Sequence, residues 1–148
     1  MTAPGGNFRA VAAVVRDDAV ANRPLFLMIR RAAGIAASGY WTPVTGRLEA
    51  GEDERAAVVR EVREETGLDV VCGELLHRGT TEGAASGWKL AWYEARPAAG
   101  SGPGTVLAPL EVAEARWCDL TEISALEPMF PATRRVYAAL ENRAGNRD

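Results

Sequence analysis

Residues 46 to 68 read GRLEAGEDERAAVVREVREETGL, a stretch in which glycines bracket a run of glutamates at helical spacing. A helix from about Asp53 to Thr66 places Glu61, Glu64 and Glu65 on one face by the (i, i+3) and (i, i+4) rule, so that three carboxylates point at one spot. Like charges one turn apart repel and raise each other's pKa, so this face calls for a positive partner. Hard divalent cations suit it, Mg²⁺ above all, which typically takes one or two carboxylates together with substrate phosphates and water. The spacing thus predicts metal-assisted phosphate chemistry mounted on a helix.

The rest of the stretch agrees with that geometry. Val58, Val59 and Val62 fall on the side away from the three glutamates and can pack on a core. Asp53 suits the N-cap, Glu54 the first turn where the helix dipole favours negative charge, and Gly67 the C′ position. Arg60 lies between Asp53 and Glu64 on the wheel, where it offsets charge within the site. Ala57, one turn before Glu61, is small and leaves room over the carboxylate face. A merely solvated, charge-laced surface helix would not need glycines at both ends.

These residues resemble the signature of the Nudix hydrolases without a gap. Gly46, Glu52, Arg60, Glu61, Val62, Glu64, Glu65, Gly67 and Leu68 fill its nine specified positions, a match far more specific than a lone glycine-rich triplet. The resemblance implies an α/β Nudix fold, an α/β/α sandwich with a mixed β-sheet, in which the signature forms a loop, a helix and a loop. It implies hydrolysis of a nucleoside diphosphate linked to another group, with Mg²⁺, or Mn²⁺ as substitute, neutralising phosphate oxygens and activating water. By position Glu61 and Glu65 would be the main metal ligands, Glu64 a further ligand or water-activating group, and the Gly46 carbonyl a backbone ligand. Glu52 would orient the site through Arg60; which glutamate is the general base varies within the family.

The 148 residues, 47% hydrophobic, suit one domain spanning 1–148 with its own core. A net charge of -3 and a pI near 5.3 argue against a nucleic-acid polymer as partner, whose phosphate backbone needs a basic surface. A small nucleotide remains compatible. No run approaches the roughly 18 apolar residues of a membrane span, and MTAPGGNFRA lacks the regions of a signal peptide, so a cytoplasmic enzyme is expected, monomer or homodimer. Cys72 and Cys118, far apart and outside any Cys-x-x-Cys pair, read as reduced thiols.

Strands are expected at Arg9 to Val15 and Leu25 to Ile29, with a turn from Asp17 to Pro24. Ala32 to Gly39 reads as a loop at the mouth of the site, leading through Tyr40, Trp41 and Val44 to the signature. Further strands follow at Val70 to His77, Gly87 to Arg96 and Ala115 to Asp119, with loops at Thr81 to Ser86 and Ala98 to Gly104. Pro131 to Asn142 reads as a closing amphipathic helix with Val136, Ala139 and Leu140 inward.

Glu111, six residues before Trp117, lies where triphosphate-cleaving relatives carry an acidic ligand or base. Glu114 is its competitor, and Glu82 and Glu94 stand further back. YWTPVTGRLEAG, from Tyr40 to Gly51, is similar to the dihydroneopterin triphosphate pyrophosphohydrolase branch, where Val-Thr-Gly replaces the commoner Gly-Gly. That resemblance puts Arg30 and Thr45 on the substrate; a guanidinium suits phosphate oxygens, against the alternative of a solvated strand end. Trp41 is the better stacking residue, since Trp88, Leu90 and Trp92 alternate as a core face would, and His77 reads as structural. The expected substrate is a nucleoside or pterin triphosphate, releasing pyrophosphate and a monophosphate. Nucleotide sugars or dinucleoside polyphosphates are the alternative, and a non-catalytic nucleotide-sensing module a second one.

Overall fold

The computed structural model describes residues 8–18, 23–80, 88–100 and 111–145. Its elements run β1 (Phe8–Asp17), β2 (Leu25–Arg31), β3 (Trp41–Thr42), β4 (Val44–Arg47), α1 (Glu54–Thr66), β5 (Val70–Thr80), β6 (Trp88–Pro97), β7 (Val112–Cys118), α2 (Leu120–Ser124) and α3 (Pro131–Gly145). The expected loops at 81–86 and 101–104, part of the 17–24 turn, Glu82 and the Trp88 side chain lie outside the described residues.

The seven strands form one mixed sheet. β1 is its spine: it runs parallel to β6 from Phe8↔Trp88 to Val15↔Ala95, and β6 pairs antiparallel with β5. On its other side β1 pairs with β4 from Ala10↔Arg47 to Ala13↔Val44, and with β2 only at Arg16↔Phe26 and Asp17↔Leu25. β2 instead pairs with β3 and β7. The sheet is therefore split beyond Val15 into two halves.

Strand alternation sorts the apolar residues onto two faces. Val11, Ala13, Val15, Leu27, Ile29 and Tyr93 pack with Ala57, Val58 and Val62 of α1. Ala12, Val14, Phe26, Met28 and Trp92 pack on the other side with Ile123 near α3's Val136, Tyr137 and Leu140. Burying Val58 and Val62 fully, at about 1.5–3 kcal/mol each, outweighs the weak intrinsic helix preference of valine. The outcome is the expected α/β/α sandwich with helices on both faces of a mixed sheet.

The ends of α1 follow its sequence. The Asp53 carboxylate accepts from the Ala56 N–H, and Gly67, at φ 74°, donates its N–H to the Arg63 carbonyl. On α3 the expected inward set changes: Ala139 is exposed, and the buried stripe is Thr133, Val136, Tyr137 and Leu140, because the helix turns its larger side chains to the sheet. β7 begins at Val112, three residues before the expected start. Asp119 is not strand; it caps α2 with a capping box closed by Glu122. Both cysteines are free thiols. Among the described residues, no helix is long and apolar enough to cross a membrane.

Candidate active site

β4 and α1 meet at Gly46. A Cβ built there would lie 2.0 Å from Glu61 Cδ and 2.4 Å from its Oε1, so the Glu61 carboxyl fills the space that any other residue's side chain would need. The φ of Gly46 is not positive, so the constraint is room and not backbone strain.

Glu61 and Glu65 lie one turn apart on α1, where each shifts the other's titration. Burial is the main reason both sit above the ordinary carboxylate pKa; the Glu61 carboxyl and the charge of Glu111 push Glu65 further, while Arg31 pulls it back. Glu64 does not join them. Residues 64 and 65 are about 100° apart on a helix, and the Glu64 side chain is 58% exposed, bonded to Arg60 at 3.2 Å. The expected convergence of three carboxylates is thus a pair, Glu65 buried and Glu61 partly so, with the third turned outward. Among the described residues, no three acidic, histidine or cysteine side chains form a ready metal cage. An oxygen-only donor set, a carboxyl pair in need of counter-charge and a glycine that opens its backbone beside them nevertheless fit a hard divalent cation.

Arg60 ties the pair to the preceding loop. Its Nε and Nη2 donate to the two oxygens of Glu52 at 2.7 and 2.8 Å, its Nη1 to Glu61 at 2.7 Å, and its Nη2 to the Arg47 carbonyl at 2.9 Å. This fork holds the Glu52 carboxyl at a pKa of about 2, helped by the hydrogen bond with Glu49, whose N–H donates to Glu52 at 2.9 Å.

On the α3 face lies a second group. Arg30 pairs in register with Trp41 on β3 and Glu114 on β7. The guanidinium carbons of Arg116 and Arg30 stand 4.9 and 6.0 Å from the Trp41 ring centroid, and Glu114 accepts from Arg116 at 2.8 Å and from Arg30 at 3.4 Å. Trp41 itself is only 5% exposed, at the top of the α3-side core. Thr45 pairs with Ala12 and so shares this face, opposite to Gly46. Tyr40 stacks on Phe130 nearby, with centroids 4.5 Å apart.

Glu111 and Glu114 part company because of a bulge. The register slips between Arg30↔Glu114 and Arg31↔Val112, leaving Ala113 as the extra residue. Val112 consequently faces α1 while Glu114 faces α3, and Glu111, whose carbonyl accepts from the Ala32 N–H at 3.0 Å, stays where its charge acts on Glu65.

Three features escaped the sequence. Arg31, the neighbour of Arg30, is the cation acting on Glu65. Arg116 joins Arg30 over Trp41; its alternation with Glu114 and Cys118 was the available signal. Glu54 is far more than a first-turn acid: it is 8% exposed, Arg78 donates to both its oxygens at 2.8 and 2.6 Å, Tyr93 donates at 2.6 Å, and Arg9 adds a further bond. Those partners come from three strands distant in sequence. His77 stands exposed on β5 and Trp92 lies in the core.

Comparison with known proteins agrees with this fold. The model of the NUDIX domain matches residues 6–140. The chain is similar to the CTP pyrophosphohydrolase of Escherichia coli (strain K12), 36% identical over 64 residues, 43% of this chain and 44% of that protein. It spans less than half the length of the curated relatives it matches. Among solved structures it resembles the MutT protein from Methanosarcina mazei Go1 (TM-score 0.79, 22% identity, 99% of this chain and 100% of that one). It also resembles a C. elegans Ap4A hydrolase (TM-score 0.75, 19% identity, 94% and 98%).

Proposed function

The chain belongs to the Nudix hydrolase family, and on that premise we propose that it hydrolyses a nucleoside triphosphate, or a nucleotide-like pterin triphosphate, into pyrophosphate and a monophosphate. The observation that carries this proposal is the interlock of Gly46 with Glu61, which seats a carboxyl pair, Glu65 buried and Glu61 partly so, directly on a strand backbone. A buried acid pair is costly unless a cation or proton compensates it. The stretch shared with a CTP pyrophosphohydrolase adds support.

In this reading the Gly46 carbonyl, Glu61, Glu65 and Glu111 would hold Mg²⁺, with Mn²⁺ as substitute, while Glu64, turned outward, keeps the water-activating role and not the ligand role expected of it. When bound, the metal supplies neutralisation of phosphate oxygens and lowers the pKa of water. The chain supplies the rest. Glu52 fixes the Arg60 fork, which sets the position of Glu61. Glu64 takes a proton from the attacking water, a role its exposed side chain supports. Arg30 and Thr45 contact the substrate from the α3 face; Trp41, 5% exposed beneath the guanidinium groups of Arg30 and Arg116, does not stack on the substrate as expected and supports Arg30 instead. Residues 1–148 act as one domain, on a small molecule, in the cytoplasm, as monomer or homodimer.

The test is release of pyrophosphate and phosphate, with Mg²⁺ in excess, from nucleoside triphosphates, dihydroneopterin triphosphate, nucleotide sugars and dinucleoside polyphosphates. Pyrophosphate from a triphosphate is expected, and Glu65→Gln should lower turnover on the order of 10³-fold while the fold survives. Activity confined to the diphosphate-linked compounds would overturn the triphosphate assignment. Full turnover by the Gln variant would overturn the site.

A further inference from the structure

We infer that the planar ring of the substrate stacks on Phe130, at the β3 edge of the sheet, and not on Trp41. The inference rests on the nucleotide hydrolysis proposed above and adds the place where the part that is not phosphate is held. Trp41 is closed to a ligand, since it is 5% exposed and the guanidinium groups of Arg30 and Arg116 lie against it. Among the described residues, the exposed large apolar side chains are Val71, Leu75 and Phe130, and Phe130, at 41%, is the aromatic one. Val71 and Leu75 sit on β5, at the other end of the strand order from β3.

A single exposed apolar side chain is ordinary. Phe130 differs because it is held. Tyr40 stacks on it with centroids 4.5 Å apart and planes at 31°. The Trp41 N–H donates to the Pro128 carbonyl at 2.9 Å, Met129 is buried in the α3-side core, and the Phe130 carbonyl accepts from the Arg134 N–H at 3.1 Å as α3 begins. The phenyl ring is therefore fixed in place before any ligand arrives, which lowers the ordering cost of stacking on it.

Register connects this ring to the carboxyl pair. Arg31 lies opposite Val112, which packs in the α1-side core, so Arg31 points to the α1 face, where its charge acts on Glu65. The Gly39 N–H donates to the Arg31 carbonyl and the Arg31 N–H to the Tyr40 carbonyl, both at 2.9 Å, with Gly39 at φ 81° opening a bulge opposite Arg31. Trp41 faces the α3 side, so Tyr40, its neighbour on the chain, faces the α1 side with Arg31. Glu65, Arg31, Tyr40 and Phe130 thus follow one another from α1 to the sheet edge, with β3 about 4.8 Å beyond β2. The Arg31 guanidinium is oriented by its Nε, which donates to the Ala36 carbonyl at 2.7 Å. Phosphates at the carboxyl pair and a ring at Phe130 are the two ends of one nucleotide, with a cation between them. Stacking needs a π face and no particular hydrogen-bond pattern, so this platform takes purine, pyrimidine or pterin rings alike.

The experiment is calorimetric binding, with Mg²⁺ in excess, of ADP, GDP, CDP and UDP, and of inorganic pyrophosphate, which has no ring. Wild type is compared with Phe130→Ala, Phe130→Leu and Phe130→Trp. Phe130→Ala is expected to weaken the tightest nucleoside diphosphate by about 5–100-fold and to leave pyrophosphate within about twofold. Phe130→Leu, apolar but without a π face, should lose affinity as the alanine variant does, and Phe130→Trp should keep it. Phe130 lies outside both cores, so the urea midpoints should match wild type. In hydrolysis, Phe130→Ala should raise KM for the preferred triphosphate by the same factor and leave kcat within about threefold. Equal loss for pyrophosphate, unchanged nucleotide affinity in Phe130→Ala, full affinity in Phe130→Leu, or a wild type that binds nucleotides no more tightly than pyrophosphate overturns the inference. Any of these in a protein that still cleaves a triphosphate leaves the hydrolytic reading standing. Nucleotide binding that depends on Phe130, in a protein that cleaves no triphosphate, would uphold the ring platform and overturn the hydrolytic reading.

Discussion

Replacing Gly46 by alanine adds one methyl group at the most constrained point of the site. The new Cβ would meet Glu61 Cδ at 2.0 Å, and ordinary contact begins near 3.4 Å, so something must give by about 1.4 Å, the difference of the two. β4 is held to β1 through the four pairs from Ala10↔Arg47 to Ala13↔Val44, and α1 is anchored by Glu54 at one end and by Val58 and Val62 along its length. The Glu61 carboxyl is the softest element, and moving it breaks its 2.7 Å bond from Arg60 and its contact with Glu65. A misplacement of about 1 Å costs on the order of 10²-fold in rate, and overpacking of this kind about 1–3 kcal/mol in stability. The assay is kcat at saturating substrate, the Mg²⁺ concentration for half-maximal rate, and urea unfolding. A second variant isolates the cause: with Glu61→Ala also present the methyl has room, so Gly46→Ala should cost less than about 0.5 kcal/mol in that background. Retention of kcat within about threefold at an unchanged Mg²⁺ requirement, or equal destabilisation with and without Glu61, would refute the steric argument.

Other expectations follow from the charge networks. Chiefly because Arg78 donates to it, the Glu54 carboxyl has a folded pKa of about 2, below its ordinary 4.5. Its contribution is therefore complete above pH 4.5 and is lost as pH falls through about 2. Discounted for half-exposed arginines, that is about 1–2 kcal/mol, so Glu54→Gln should unfold more easily in urea at pH 7 by this amount, with the gap closing toward pH 2. A gap that does not change with pH would show that the clamp does not act through charge. Arg60→Lys keeps the charge but cannot fork onto both oxygens of Glu52, so kcat/KM should fall by about 10–100-fold, close to the loss in Arg60→Ala. Near-wild-type activity in the lysine variant would mean that a point charge suffices there.

The sequence revealed most where structure is local. Both ends of α1 are written in Asp53 and Gly67, and the spacing of Glu61 and Glu65 survives intact in the fold. Two short strands went unread because two and four residues carry no periodicity, and Pro43 between them reads as a break. The start of β7 was missed because the extra residue at Ala113 spoils the alternation on which strand reading depends. The Asp119-x-x-Glu122 capping box that marks α2 is written in the sequence, but Asp119 reads there as the end of a strand. The partners of Glu54 were not legible, since Arg9, Arg78 and Tyr93 meet only after three strands assemble.

Ala113 makes β7 a strand with two phases. Val112 faces α1, whereas from Glu114 onward the even-numbered residues of β7 face the opposite layer. Substitutions before and after this point therefore act on different layers of the fold. Removing Ala113 would leave Arg31↔Val112 and Arg30↔Glu114 as consecutive pairs, so Ala115 and Trp117 would keep their place against α1 and the Glu-Arg pair its place on the other face, with only the twist of the strand changed.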